Sequence, residues 1–181
     1  MADASEVYAE MKSFLDFNDA DVQNLITLAP IFAKHGGAIT DAFYETLGQY
    51  PTTAALIEGR VDHLKATHAA WMRELVAGDY GDAYLARRMR IGEVHVRIGL
   101  PPYYVEAVMN NIRVGGHAAI TTELSDAADI DAKYGSLVKI LDLDLLIINL
   151  AYSEERLDRM SAITGMSRKL VERLITKAKK D

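Results

Sequence analysis

Of the side chains able to do chemistry in this 181-residue sequence, His95 has the most telling surroundings. Read as a helix, residues 91–98 place Ile91, Val94, His95 and Ile98 on one face, because positions three and four apart overlie one another. A lone imidazole thus sits on an apolar stripe. One turn away lie Ile91, Gly92, Ile98 and Gly99, and none has a side chain that accepts its N–H. A buried polar group needs a partner, so one distant in sequence satisfies it. A buried metal or cofactor iron is one answer; the backbone carbonyl that partners an ordinary core histidine is the other.

Two further polar side chains lie beside apolar stripes. Tyr44 flanks the stripe of Ile39, Phe43 and Leu47, so its hydroxyl either reaches water or points into a pocket. Thr67 shares a face with Leu64 and Trp71, and a mid-helix threonine commonly bonds back to its own preceding turn. Other metal readings do poorly. His63 and His68 are five apart and lie on different sides of their helix, while the H-E-x-x-H and paired E-x-x-H patterns are absent. His35 and His117 read as solvent or interface residues. No nucleophile triad signature, P-loop or dinucleotide glycine fingerprint appears, so no independent catalytic activity is indicated.

These residues need helices to position them, and the composition supplies helices. Half of the residues are hydrophobic and only four are proline, which predicts an all-α protein. The formal charge of −6 argues against a nucleic-acid surface, which needs a basic face. With no cysteine there are no disulfides, thiolate metal sites or iron–sulfur clusters, and no covalent haem attachment. The first 17 residues lack a signal-type apolar run, and the longest apolar stretch, 141–152, is interrupted by Asp142, Asp144 and Asn149. A cytoplasmic protein without membrane or nucleic-acid partners is expected.

Taken in order, residues 1–17 read as an amphipathic helix capped at Ser5, with Val7, Met11, Phe14 and Leu15 inward. Asn18 starts a second helix, whose buried face is Leu25, Leu28, Ile31 and Phe32 and which Pro30 kinks. Gly36-Gly37 separates it from a helix over 38–50, and 52–59 is a connecting segment. A strong helix over 60–78 carries two apolar stripes. After a turn at 79–81, Asp82 caps the helix bearing His95, which Gly99 and Pro101-Pro102 end. Pro102 opens a helix to about Leu124 in which Gly115-Gly116 marks a helix contact, and 125–131 is a loop. From Ala132 a single helical pattern continues towards the C-terminus. Its heptad seam of Leu143, Leu146, Leu150, Leu157, Met160, Val171 and Leu174 weakens at Ser153, Thr164 and Ser167, predicting a parallel dimer.

The pattern Arg88-x-x-Ile91-Gly92-x-x-His95-x-Arg97-Ile98-Gly99-Leu100-x-Pro102 resembles the proximal-helix signature of the globin-coupled sensors and the related protoglobins. The similarity covers roughly residues 18–152. It implies that His95 is the axial ligand of haem iron. Phe43-Tyr44-x-x-Leu47 is similar to the family's F-Y-x-x-L motif, which assigns Tyr44 to the distal wall facing bound gas. Leu64-Lys65-x-Thr67 resembles the distal L-K-x-T and puts Leu64 and Thr67 over the opposite haem face. Phe43, Trp71, Ile91, Val94, Ile98 and Tyr104 are the other implied haem contacts. Where family members usually carry P-x-W-Y, this chain has Pro102-Tyr103-Tyr104-Val105, with Val105 replacing the second aromatic.

The resemblance further implies a globin fold with an extra N-terminal helix, dimeric through its last core helices. Residues 1–17 are then the pre-helix, 18–152 the sensor globin domain, and 153–181 a C-terminal coiled-coil signalling helix. The implied function is a haem-based O2 sensor, which also binds CO and NO. It holds haem b non-covalently through its iron and signals as a homodimer to an output module of kinase, cyclase or chemotaxis type outside this chain. The competing readings are a cofactor-free helical dimerisation or adaptor module and a haem-dependent NO dioxygenase. Under the sensor reading, gas at iron moves His95, and its helix passes the motion across the Pro102 corner to the dimer seam, with the stretch from Ser153 to Ser167 slipping.

Overall fold

The fold is known from a computed structural model that describes residues 3–177. Met1, Ala2 and the basic C-terminal run 178–181, included above in the pre-helix and signalling helix, lie outside the described residues. Nine helices and no strand occur among the described residues. They are α1 (Ala4–Phe14), α2 (Asp19–Thr27), α3 (Ala29–Gly48), α4 (Pro51–Ile57), α5 (Val61–Leu75), α6 (Asp82–Arg97), α7 (Pro102–Glu123), α8 (Ala127–Thr164) and α9 (Arg168–Lys177).

The helix starts follow capping chemistry. Asp3, not Ser5, caps α1: its backbone N–H donates to the Glu6 carboxylate at 3.1 Å, and the Ser5 hydroxyl donates to the Asp3 side chain. The buried stripe of α1 runs through Tyr8, Met11 and Leu15, which turns Phe14 outward against expectation, at 81% exposure. Asn18 begins α2 with a reciprocal box, its side chain accepting the Ala20 N–H while Asp21 accepts the Asn18 N–H. Gly81, in extended conformation, precedes α6, so Asp82 is the first helical residue rather than its cap.

Several boundaries differ from the sequence reading; the expected loop over 125–131 shrinks to 124–126, because Asp126 accepts the Asp129 N–H and caps α8 at Ala127. Pro30 begins α3 instead of kinking a helix, since a proline in the first turn removes an N–H that has no intrahelical acceptor. Gly36 and Gly37 lie inside α3, where a Cβ on Gly36 would meet Met72 Cε at 3.1 Å; packing on α5 overrides the low helix propensity. Pro51 likewise begins a short helix, α4, where a connecting segment was expected.

Almost every element leans on α8. Helices α1, α2, α6 and α7 pack on it, and α3 bridges α5 and α7. The first half of α8 is core: Leu137, Ile140, Leu141, Leu143 and Ile147 are fully buried, so Leu143 serves the core rather than a dimer seam. On α7 the Gly115-Gly116 pair is a helix contact, as its residue types predict. A Cβ on Gly116 would lie 2.6 Å from Leu137 of α8, and one on Gly115 3.0 Å from Ile39 of α3.

The predicted single helix to the C-terminus is broken. α8 does run past 152, but Gly165 ends it in the left-handed conformation at φ 69° and donates its N–H to the Ser161 carbonyl. α9 then folds back on α8, with Arg168 paired to Glu154 and Asp158 and with Val171 buried. Heptad spacing is blind to one left-handed glycine, which reverses the face that follows. Among the described residues no helix is long and apolar enough to cross a membrane.

Candidate functional site between α5 and α6

One cavity of about 420 Å³ lies within the helical layers, within the range of small-molecule and cofactor sites. Its lining draws Phe43, Tyr44 and Leu47 from α3, Leu56 and Ile57 from α4, and Leu64, Thr67, His68 and Trp71 from α5. α6 contributes Arg90, Ile91, Val94, His95 and Ile98, and α7 contributes Tyr104, Val105, Val108 and Met109. All ten site residues named from the sequence are on this lining. The walls are mainly apolar, and their cations are the exposed Arg60 and Arg90.

On α6, Gly99 ends the helix with φ 74° just after Ile98, one turn beyond His95. His95 makes no side-chain hydrogen bond among the described residues, and its Nδ1 is buried without a partner. The carbonyl that an ordinary core histidine would use is therefore missing. Burial pushes the His95 pKa down to about 4, which keeps the ring neutral and its nitrogen a lone-pair donor near pH 7.

The other wall is aromatic. Tyr44 is 9% exposed, its ring is 4.8 Å from that of Phe43, and burial pushes its phenol up to about 12. Its hydroxyl makes no hydrogen bond among the described residues, so it remains a protonated donor. Thr67 touches the cavity, but its hydroxyl donates to the His63 carbonyl at 3.0 Å and the residue is exposed. That is the back-bonded geometry common to mid-helix threonines.

Sequence reasoning missed His68. The sequence places it on an apolar stripe with Val61, Met72 and Leu75 and excludes it as a metal-site partner of His63, but assigns it no role. Leu64, Lys65, Trp71 and Met72, one turn away, offer its ring no acceptor, the same signal that marks His95. The His68 ring stands between Phe43 at 5.0 Å and Trp71 at 5.2 Å, with Nδ1 3.0 Å from the Thr40 hydroxyl. Nε2 is buried without a partner, and burial takes the pKa down to about 4.

Beneath the cavity is a second cluster the sequence did not reveal. Asp144 of α8 is fully buried and accepts from the Trp71 indole N–H at 2.8 Å, the Arg88 Nε at 2.8 Å and the Tyr84 hydroxyl. Arg88 also pairs with Glu74, and its guanidinium stacks on the Tyr84 ring. Burial alone would lower the Arg88 pKa, but the Asp144 carboxylate outweighs it and holds the guanidinium charged. One carboxylate thus ties α5, α6 and α8 together. Among the described residues no group of three or more His, Cys, Asp or Glu is placed to share a metal ion.

The Protoglobin family matches residues 5–158. The heme-based aerotactic transducer HemAT of Halobacterium salinarum is 31% identical over 125 residues, which is 66% of this chain and 24% of that protein. The chain therefore spans about a quarter of that relative's length. Among solved structures, the globin domain of a Geobacter sulfurreducens globin-coupled sensor superposes with a TM-score of 0.76 at 32% identity, covering 80% of this chain and 96% of that one. The ferric globin domain of E. coli DosC gives a TM-score of 0.68 at 19% identity over 78% of this chain and 97% of that one, a likeness of fold alone.

Proposed function

The chain belongs to the protoglobin family, and from that premise we propose that it is a gas-sensing globin domain that holds haem b non-covalently through His95. The observation that carries the reading is the half-buried His95, whose buried Nδ1 has no hydrogen-bond partner among the described residues, on the wall of an apolar cavity. The other lining groups fit the same guest. Ile91, Val94, Ile98 and Leu64 offer a water-excluding slot, Tyr104 and Trp71 add flat surfaces, and the exposed Arg60 and Arg90 match the carboxylates of a porphyrin. A cofactor-free adaptor has no use for such a cavity.

When bound, haem supplies an iron with a face on which O2, CO or NO can be taken up. The residues around it set the selectivity. Tyr44 holds a phenol O–H towards the cavity, and a hydrogen bond from it favours a gas that carries negative charge at its outer atom, O2 over CO. Thr67, with its hydroxyl committed to its own helix, acts by shape.

Residues 18–152 are the gas-binding unit in this reading, 1–17 a helix laid against it, and 153–181 the part that passes the signal on. The route is more direct than the corner at Pro102. α6 lies on α8 itself, and the Tyr152 hydroxyl donates to the Leu100 carbonyl at 2.9 Å just beyond the end of α6. A shift of α6 thus reaches α8 without crossing α7. The apolar side chains exposed on the end of α8 and on α9, Met160, Ile163, Leu170 and Leu174, are the surface assigned to a second copy of the chain. The output that such a homodimer drives belongs to a partner module, with the chain itself acting as sensor rather than enzyme.

Titrating haem into the purified protein tests the reading. Stoichiometric uptake with a Soret band that shifts on adding CO is the expected result. A folded chain that takes up no haem overturns it and leaves the adaptor reading.

A further inference from the structure

The single tryptophan of the chain and two buried tyrosines form a row that leads from the cavity to a second groove. Trp71 is on the cavity lining, and its indole N–H donates to one oxygen of Asp144 at 2.8 Å while the Tyr84 hydroxyl donates to the other. The Tyr84 ring meets that of Tyr80 edge-on, with 5.1 Å between centroids. Tyr80 in turn lines a groove of about 260 Å³ between α1, α2 and the turn before α6, where Asn18 and Asp19 are exposed. Indole and phenol give up one electron more readily than most side chains, and there is no cysteine to do so first. We propose that this row carries oxidising equivalents out of the cavity: when peroxide is reduced at the haem, electrons pass inward from Tyr80 through Tyr84 and Trp71, and a small one-electron donor of the ascorbate type replaces them at the groove. The inference rests on the haem reading above.

Reducing one peroxide to two waters takes two electrons and two protons, and two donor molecules that each lose one of both supply them. Within the row, a phenol that gives up its electron must also give up its proton. For Tyr84 the hydrogen bond to Asp144 is already the path: the proton moves to the carboxylate as the electron leaves and returns when an electron arrives from Tyr80. Burial pushes the Asp144 pKa above the ordinary carboxylate value, against the pull of the Arg88 charge, which makes it the readier base. The Tyr80 hydroxyl donates to the Leu75 carbonyl, which takes no proton, so Tyr80 is a point of passage and the vacancy rests on Tyr84. A rival exit exists at Tyr104, which lines the cavity and packs at 4.8 Å on the exposed Tyr103. Neither Tyr104 nor Tyr44 has a carboxylate bonded to its phenol among the described residues, and Asp144 decides between the routes. The row also spares Met109, an oxidisable thioether on the same lining.

Rapid freezing of the haem-loaded full chain after mixing with hydrogen peroxide should trap a tyrosyl radical, seen by electron paramagnetic resonance and narrowed by ring-deuterated tyrosine. Tyr84→Phe keeps the ring and leaves Asp144 its bonds to Trp71 and Arg88, and should lose that signal. Tyr80→Phe should keep the signal and slow its quenching by ascorbate several-fold. Without any substitution, peptide mapping of the unaltered protein after peroxide should find oxidation at Tyr84 or Trp71 rather than at Tyr44 or Tyr104, suppressed by ascorbate, and Tyr84→Phe should shift it to Met109. A tyrosyl signal that survives Tyr84→Phe, or oxidation centred on Tyr44 or Tyr104 in the unaltered protein, overturns the relay, while a Soret band that shifts with CO in the same samples shows that the haem reading stands. A chain that takes up no haem overturns both.

Discussion

The two walls of the cavity are built from similar helices and held in different ways. α6 is pressed onto α8: a Cβ on Gly92 would lie 2.5 Å from Cβ of Ala151 and 2.6 Å from the carbonyl oxygen of Ile148. Tyr84 and Arg88 anchor it to Asp144, and Tyr152 catches the chain at Leu100. α5 meets this scaffold through two side-chain tips in its C-terminal half, Trp71 on Asp144 and Glu74 on Arg88. Its N-terminal half follows a non-helical stretch, residues 58–60, and carries no fully buried residue from Val61 to Ala70. A rigid wall transmits displacement, and a loosely held one absorbs it. The α6 wall, which carries His95, is therefore the one joined rigidly to α8.

The sharpest way to break this contrast is to cut the anchor. Asp144→Ala leaves Arg88 buried without its carboxylate and should lower the unfolding free energy by about 3–5 kcal/mol, read by urea denaturation. A loss under about 1 kcal/mol, the usual worth of a surface pair, would show that the walls are not joined there. Next in size is Gly92→Ala, where a methyl meets a backbone carbonyl that has little room to move; we expect a loss of about 1–3 kcal/mol. Gly37→Ala on α3, where nothing lies within 4 Å, should instead be neutral or stabilise by up to about 1 kcal/mol through helix propensity. Similar losses at both glycines would deny that the α6–α8 contact is special.

A smaller effect separates two polar groups on the cavity lining. Tyr44→Phe should speed O2 dissociation by about tenfold, the equivalent of one hydrogen bond of about 1.4 kcal/mol, with CO much less affected. Thr67→Val should change little, because its hydroxyl already serves the His63 carbonyl. Equal effects of both substitutions would reject the assignment of Tyr44 as the donor.

The smallest expected effect lies away from both walls. Asp21 ties α2 to α8 through Lys139 at 2.9 Å and Ser136 at 2.8 Å. Burial pushes its pKa up, but the bonds from Lys139, the Asn18 N–H and Ser136 outweigh it and leave it below the ordinary carboxylate value. A depressed folded-state pKa gives stability that is present above the unfolded value, near 4, and is lost as the pH falls through the folded one. Asp21→Asn should therefore destabilise at pH 7 and progressively less towards about pH 3. A penalty that does not vary with pH would mean the carboxylate's charge is not what holds α2.

What could be read from the residues follows from the range of the forces involved. Apolar stripes at helical spacing, Gly99 and the Pro101-Pro102 corner are local signals that mark the helices; the family resemblance is what groups the ten named side chains, and all ten line one cavity. Pro30 was legible as a breaker, but whether it kinks or starts a helix depends on what the next segment packs against, and Gly165, which ends α8, left no mark on the heptad pattern. Gly36 and Gly92 look alike as helix-weakening residues; only the neighbours Met72 and Ala151 reveal them as close contacts. Asp144 reads as an interruption of an apolar run because its partners Trp71, Tyr84 and Arg88 are 56 to 73 residues away. His68 was hidden for a related reason: its partner Thr40 lies 28 residues earlier, on another helix.

The central claim is that the His95 imidazole holds the haem, and His95→Gly tests it with its own control. Haem transfer from the loaded variant to an excess of an acceptor apoprotein should be on the order of tenfold faster or more than from the unaltered chain, and free imidazole, entering the space left by the side chain, should slow it again. A variant that keeps its haem as long as the unaltered protein, with the same spectrum and no response to imidazole, would contradict the account.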